Sequence, residues 1–323
     1  MALSYEYSIG SVRAREKSLL NRADVEQLLA SKDIAQLCAV LSDKGYGDGK
    51  TVDELIDSHT KNVWAYLKST APDFEIFNIF IIQNDVHNFK VALKGTLAER
   101  NWESLILTPG SVEPKTLKEA VEKRRYSLLP EWMSKPAEQA YETLAHTGDA
   151  RLSDAIIDKA VMKQTINLAK ELRSEFIKNY FNNLVFYNDI KIAIRASRTK
   201  TGKDYLVKAL CEVDGLSRRS LIDDTLKGYD KLIESLSKKS DYDCDKAIEQ
   251  FKTSPSAFEK FVDDRLIIMA RESCKRASEG MEPLIGYYLG TEAEKKVIHI
   301  IASGIRTGSD REIISERLRE IYG

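Results

Sequence analysis

Proline is nearly missing from the middle of this chain: none of its seven prolines falls between Pro136 and Pro255. Proline inside a helix costs roughly 3 kcal/mol, so such a stretch leaves room for long helices. No run of 18 apolar residues occurs, which argues against a membrane-spanning helix. The opening MALSYEYSIGSVRAREK lacks the apolar segment of a secretory leader. Cysteine is sparse, and Cys38, Cys211, Cys244 and Cys274 form no CxxC pair. With no leader, they are expected to be reduced thiols of a cytosolic protein, not zinc ligands. Excess charge of either sign is absent too. The 49 basic and 50 acidic residues leave a net charge of −1, which argues against nucleic acid as the main partner. Alternation of period two never runs beyond a few residues, so strands are expected to be few or absent. At 43% hydrophobic and 31% charged residues, the composition is that of an ordinary folded protein.

What is present is a repeat. Residues 89–94 read FKVALK and residues 190–195 read IKIAIR, conservatively matched at an offset of 101. The same offset carries Gly47-Asp48 onto Gly148-Asp149, Asp53 onto Asp154, Asp57 onto Asp158 and Phe80 onto Phe181. A looser third copy sets Phe261-Val262-Asp263 against Ile156-Ile157-Asp158, and Ile298-His299-Ile300-Ile301 against Ile190-Lys191-Ile192-Ala193. A repeat of this kind sets the architecture, and it favours a protein built for shape and contact over one built for chemistry.

Helix signals dominate the rest. Thr51, Ser256, Thr291 and Ser309 each precede a Glu by three residues in capping-box form, and Ser254-Pro255 offers an alternative start. Leu28, Leu29, Leu37, Val40 and Leu41 make two short amphipathic runs broken near Asp33. Ala155, Ile156, Ile157 and Val161 form an inward stripe, and Phe258, Phe261, Val262, Arg265 and Met269 share a second face. The segment 107–114, with two prolines and a glycine, reads as a linker, and Asp214-Gly215 as a softer one. The expectation is an all-α chain of three helical repeat units, 1–110, 111–215 and 216–323.

The motifs that suggest catalysis fail on spacing. Gly45–Thr51 imitates a phosphate loop, but its first glycine would fall at Lys44 and no strand precedes it. It reads as a surface loop ahead of the Thr51 cap. Asp223-Asp224 and Asp263-Asp264 resemble a metal-diphosphate motif, yet Lys227 and Ile267 occupy the place of the further carboxylate, leaving solvated helix faces or caps. His59, His87, His146 and His299 show no metal-binding spacing. The basic run at 123–125 reads as a solvated helix face. No catalytic residue, metal or cofactor is expected. The repeated cations have more to say. Lys90 and Lys191 are equivalent, with Lys94 and Arg195 one turn on, and His299 and Ser303 stand at these places in the third copy. Two readings are open: cationic groups facing a shared axis and a partner, or charges that flank each helix's apolar stripe with their heads in water.

The opening Tyr5–Arg15 with Leu19-Leu20, and the closing stretches Tyr287–Glu294, Ile298–Gly304 and Glu316–Tyr322, resemble the family of V-type ATPase (ATP synthase) C subunits. That family is archaeal and bacterial, and its eukaryotic relative is the V-ATPase d subunit. Val297 and His299 depart from it, standing where Asn and Arg are expected. The resemblance implies three similar helical domains in a pseudo-threefold funnel. It implies a non-catalytic rotor adaptor at the cytoplasmic face of the membrane, joining the proteolipid ring to the D and F subunits of the central stalk and associated with the membrane through the ring only. Lys90, Lys94, Lys191, Arg195 and His299 are the candidate partner-binding residues. The alternative from the repeat itself is a helical scaffold that binds proteins in a concave surface.

Overall fold

The computed structural model describes residues 4–239 and 242–323. Among them there is no strand, only an isolated bridge between Val213 and Leu216. The chain divides into two compact units, 1–75 with 246–323, and 76–245. Within the first unit the chain begins with α1 (Tyr5–Glu16), α2 (Arg22–Leu29), α3 (Ile34–Leu41) and α4 (Val52–Thr70). The second unit holds α5 (Asn78–Leu97), α6 (Pro114–Glu122), α7 (Glu131–Thr147), α8 (Ala150–Glu171), α9 (Glu175–Thr199), α10 (Lys203–Ala209), α11 (Arg218–Lys227) and α12 (Tyr229–Ser237). The boundary falls inside α13 (Cys244–Thr253), so the first unit resumes with the rest of α13 and continues with α14 (Pro255–Cys274), α15 (Glu282–Arg306) and α16 (Arg311–Arg317).

The order of elements repeats. Short helices lead into a pair of long ones three times: α4 and α5 (19 and 20 residues), α8 and α9 (22 and 25), and α14 and α15 (20 and 25). Of the expected linker 107–114, all but Pro114, which opens α6, is non-helical, and Asp214-Gly215 lies in the non-helical stretch 210–217, while the compact units divide at 75/76 and 245/246.

Local chemistry sets the helix starts. Thr51 accepts a hydrogen bond from Glu54 N at 3.2 Å, and Glu54 reaches back to Lys50 N, one residue short of a full capping box. Asp33 caps α3 and so makes the break between the two leucine runs. Ser254 caps α14 with Pro255 at its first position. The capping-box reading at Ser256 is therefore wrong, because the Ser-Pro start lies two residues earlier. Thr291 is mid-helix in α15, where its hydroxyl donates to Tyr288 O at 2.7 Å and no start is needed. At α16 the cap position belongs to Asp310, and Ser309 pairs with Thr307 instead.

Each unit has its own core. In the first, Leu28 and Leu29 of α2, Leu37 and Leu41 of α3 and Leu55 of α4 pack with Val297, Ile298 and Ile301 of α15. In the second, Phe89 and Leu93 of α5 pack with Leu117 of α6, Met133 of α7 and Ile157 and Val161 of α8. The expected stripe on α8 is inward, with Ala155, Ile156, Ile157 and Val161 buried. The stripe expected on α14 is rotated: Phe258 is buried, but Leu266, Ile267, Ala270 and Cys274 take the places assigned to Phe261, Val262, Arg265 and Met269. The reason is a polar strap. Residues 318–321 are tied to α14 through Lys260 to Leu318 O, Asp264 to Glu320 N (2.7 Å) and Arg271 to Ile321 O (3.0 Å). Chain therefore covers a flank that the apolar pattern leaves to solvent. Tyr322 ends the strap in a slot on α15, where Gly286 and Gly290 leave room for its ring.

Candidate functional site

The repeated cations do not stand alone. Lys90 on α5 bonds Asp158 on α8, and Lys94 bonds Asp154 at 2.7 Å. Asp154 and Asp158 are the residues that the 101-residue offset equates with Asp53 and Asp57. The long helix α15 makes a related contact, shifted by one turn, in the other unit. His299 Nδ1 on α15 stands 4.0 Å from Asp53 of α4, and Arg306 approaches the same carboxylate at 3.7 Å. In each case a basic residue of one long helix faces an aspartate on another long helix. Neither sequence reading anticipates this internal ion-pair ladder, although the co-repeating aspartates carry the signal. Lys90 is the better covered, with a side chain 21% exposed against 44% for Lys94 and 53% for His299. Lys191 lies half-buried and Arg195 exposed on α9.

The long helices also carry buried polar groups that hold loops. On α5, Asp85 accepts from Ser111 N (2.7 Å), Ser111 Oγ (2.5 Å) and Val112 N (3.2 Å). Asn88 bonds both polar atoms of the Leu107 backbone, and Asn84 donates to Pro109 O. On α9, Asp189 takes Cys211 N at 2.8 Å, and burial lifts its carboxyl to about 7 against the pull of Lys159 and Arg218. On α15, Glu294 takes Leu20 N and the Tyr46 hydroxyl (2.8 Å). Burial raises Glu294 to about 7, opposed by these two donors and assisted by Asp24. Val112 and Leu20 each stand one residue before a helix cap, so Asp85 and Glu294 perform the same task in two copies.

The loop that imitates a phosphate site is not a free surface loop. Tyr46 is buried, bonds Glu294 and stacks on His59 with ring centroids 4.1 Å apart. Burial lowers His59 to about 4, aided by Lys295 and Arg15. Its ring bonds the Gly45 backbone, and Nε2 is left without a partner. Of the aspartate pairs, Asp223 is exposed as expected, while Asp224, Asp263 and Asp264 are engaged. Asp263 bonds Lys296 (2.5 Å) and Arg319 (3.0 Å), and Asp224 is buried beside Lys227. The basic run 123–125 turns on itself, with Lys123 and Arg125 both on Glu119 and Arg124 over the Tyr141 ring. Among the described residues no cluster of His, Cys, Asp and Glu has metal-binding geometry, and all four cysteines are buried and outside any disulfide. No helix among them is long and apolar enough to cross a membrane.

The chain is similar to known proteins over most of its length. Over 319 residues the chain is 20% identical to the C subunit of the V-type sodium ATPase of Enterococcus hirae, covering 96% of this chain and 97% of that protein. It is 20% identical to the C subunit of the A-type ATP synthase of Methanocaldococcus jannaschii, over 93% of this chain and 82% of the relative. The C subunit of the V-type ATP synthase of Thermus thermophilus is 22% identical over 60% of this chain and 64% of its own length. The model of the ATP synthase (C/AC39) subunit family matches residues 8–317, and the chain belongs to that family.

Proposed function

We propose that this chain is a non-catalytic rotor adaptor of a V-type ATPase or ATP synthase. It joins the D and F subunits of the central stalk to the membrane proteolipid ring and transmits torque between ATP chemistry elsewhere and ion movement in the membrane. The observation that carries this reading is the family match over residues 8–317, together with near full-length likeness to the C subunit of a V-type sodium ATPase. Packed long helices supply the stiffness that a torque-bearing spacer needs. In this reading the protein sits at the cytoplasmic face and touches the membrane through the ring only.

The three-unit partition, 1–110, 111–215 and 216–323, and its pseudo-threefold funnel belong to the same proposal. The thrice-repeated element order supports it. So does the packing of α15 with α2, α3 and α4 in one unit, as expected where a third repeat meets a first. An open solenoid would keep its ends capped and apart. Lys90, Lys94, Lys191, Arg195 and His299 would border the docking face, with Lys94, Arg195 and His299 the more accessible. Pull-down of the stalk proteins and of membrane ring by Arg195→Glu and Lys94→Glu, at low and high salt beside a thermal melt, tests this. The docking role predicts weaker capture and a flatter salt dependence by a folded variant. Normal capture by both folded variants removes these residues from the interface.

A further inference from the structure

Two joints in this molecule are built alike: α5 on α8 in one unit, and α15 on α4 in the other. Their apolar parts are comparable, each a cluster of buried aliphatic and aromatic side chains. The polar parts differ. At α5/α8 the ladder consists of lysines on aspartates, Lys90 on Asp158 and Lys94 on Asp154. At α15/α4 the equivalent places hold His299, 4.0 Å from Asp53, and Ser303, with Arg306 reaching across at 3.7 Å. At α5, the side chains of Asn84, Asp85 and Asn88 clamp the segment 107–112, which is also covalently continuous with that helix. At α15, the corresponding loop comes from the opposite end of the chain, and Glu294 holds it by Leu20 N and the Tyr46 hydroxyl.

The α15/α4 joint also holds a narrow gap. His59, Val63 and Trp64 of α4 and Tyr288, Thr291 and Lys295 of α15 surround an enclosed crevice too narrow for a water molecule. His59 Nε2 has no hydrogen-bond partner, and the other joint has such an atom too, Thr96 Oγ1 on α5. Charged and titratable groups around this joint are Asp53 on α4, Arg306, Glu292, Lys295 and Glu294 on α15, Asp24 on α2, and Arg15 on α1.

We propose that the seam between α4 and α15 is the opening joint of this fold, where the N-terminal helices α1–α4 separate from α15 while the α5/α8 joint stays shut. Local openings follow the regions with the lowest density of contacts, and the ion pairs across α15/α4, at 3.7 and 4.0 Å on one shared carboxylate, are longer than the two separate pairs across α5/α8. Ion pairs at its surface are the adjustable part.

Grafting one joint's chemistry onto the other tests the proposal. Hydrogen exchange should find interior amides of α4 opening before those of α8. His299→Lys with Ser303→Lys installs the α5 pattern opposite Asp57 and Asp53, and should slow exchange in α4 about threefold to tenfold without changing α8. The reciprocal Lys90→His with Lys94→Ser should speed exchange in α8 by a similar factor and leave α4 as it was. The proposal is overturned if α8 opens first in the parent protein. It is equally overturned if the lysine graft, folded by thermal melt, leaves α4 exchange unchanged. Should the graft fail to fold, the reciprocal variant and the parent order decide the matter.

Discussion

A buried carboxyl such as Glu294 ties stability to pH. Its folded value, lifted by burial to about 7, lies above its unfolded one. Its contribution is therefore fully present below the unfolded value and is lost as pH rises through about 7. His59 acts the other way. Lowered to about 4 by burial, it costs stability as pH falls below its ordinary range. The difference between parent and Glu294→Gln isolates the carboxyl: the parent's melting temperature should fall relative to the variant's between pH 5 and 8. Parallel profiles would show that Glu294 titrates as it does in the unfolded chain. Lys90 and Lys94 make a second residue-scale test. Lys90→Glu sets a carboxylate against Asp158 in a largely covered position and should destabilise by about 1 kcal/mol. Lys94→Glu, at an exposed pair, should cost less. Melts of both variants equal to the parent's would deny the ladder any part in stability.

Among the helices, legibility followed how local the cause is. The α3 start at Asp33, the α14 start at Ser254-Pro255 and the stripe of α8 can be read from a few neighbouring residues. What eluded such reading depends on partners far along the chain. Nothing near Thr291 says that α15 runs straight through it, since that continuity comes from its burial among distant helices. The α14 face was misjudged because its cover is a strap some 50 residues away. The cations were legible as a repeat, but their partners Asp154 and Asp158 lie about 60 residues off, and a distance in sequence does not state a distance in space. Two substitutions check the corrected helix limits. Thr51→Ala removes a genuine cap and should cost about 1 kcal/mol, whereas Ser309→Ala, which caps no helix, should cost under about half of that by the same denaturation assay. At the slot for Tyr322, a Cβ on Gly286 would lie 2.4 Å from Cys274 Cβ and 2.5 Å from Tyr322 Oη. Gly286→Ala should therefore destabilise by roughly 1–3 kcal/mol. A neutral Gly286→Ala melt would mean that the strap does not occupy the slot.

At the level of the whole molecule, a near-neutral, all-helical chain of repeated long helices offers contact area and stiffness, with its polar groups spent on holding itself together. Tyr46 is drawn into the core at the one loop that imitates a phosphate site, so titration with Mg-ATP should give no saturable heat. Micromolar binding lost in Lys50→Ala would contradict that. The adaptor reading makes a stronger demand, because a coupler is needed only when chemistry and transport must be joined. The most direct measurement is ATP-driven ion uptake into vesicles carrying the reconstituted rotary complex, assembled with and without this chain, with ATP hydrolysis followed in parallel. The account predicts that omission leaves hydrolysis by the soluble head in place but abolishes uptake, and that adding the chain back restores it. Full ATP-driven uptake by a complex lacking the chain would contradict the account.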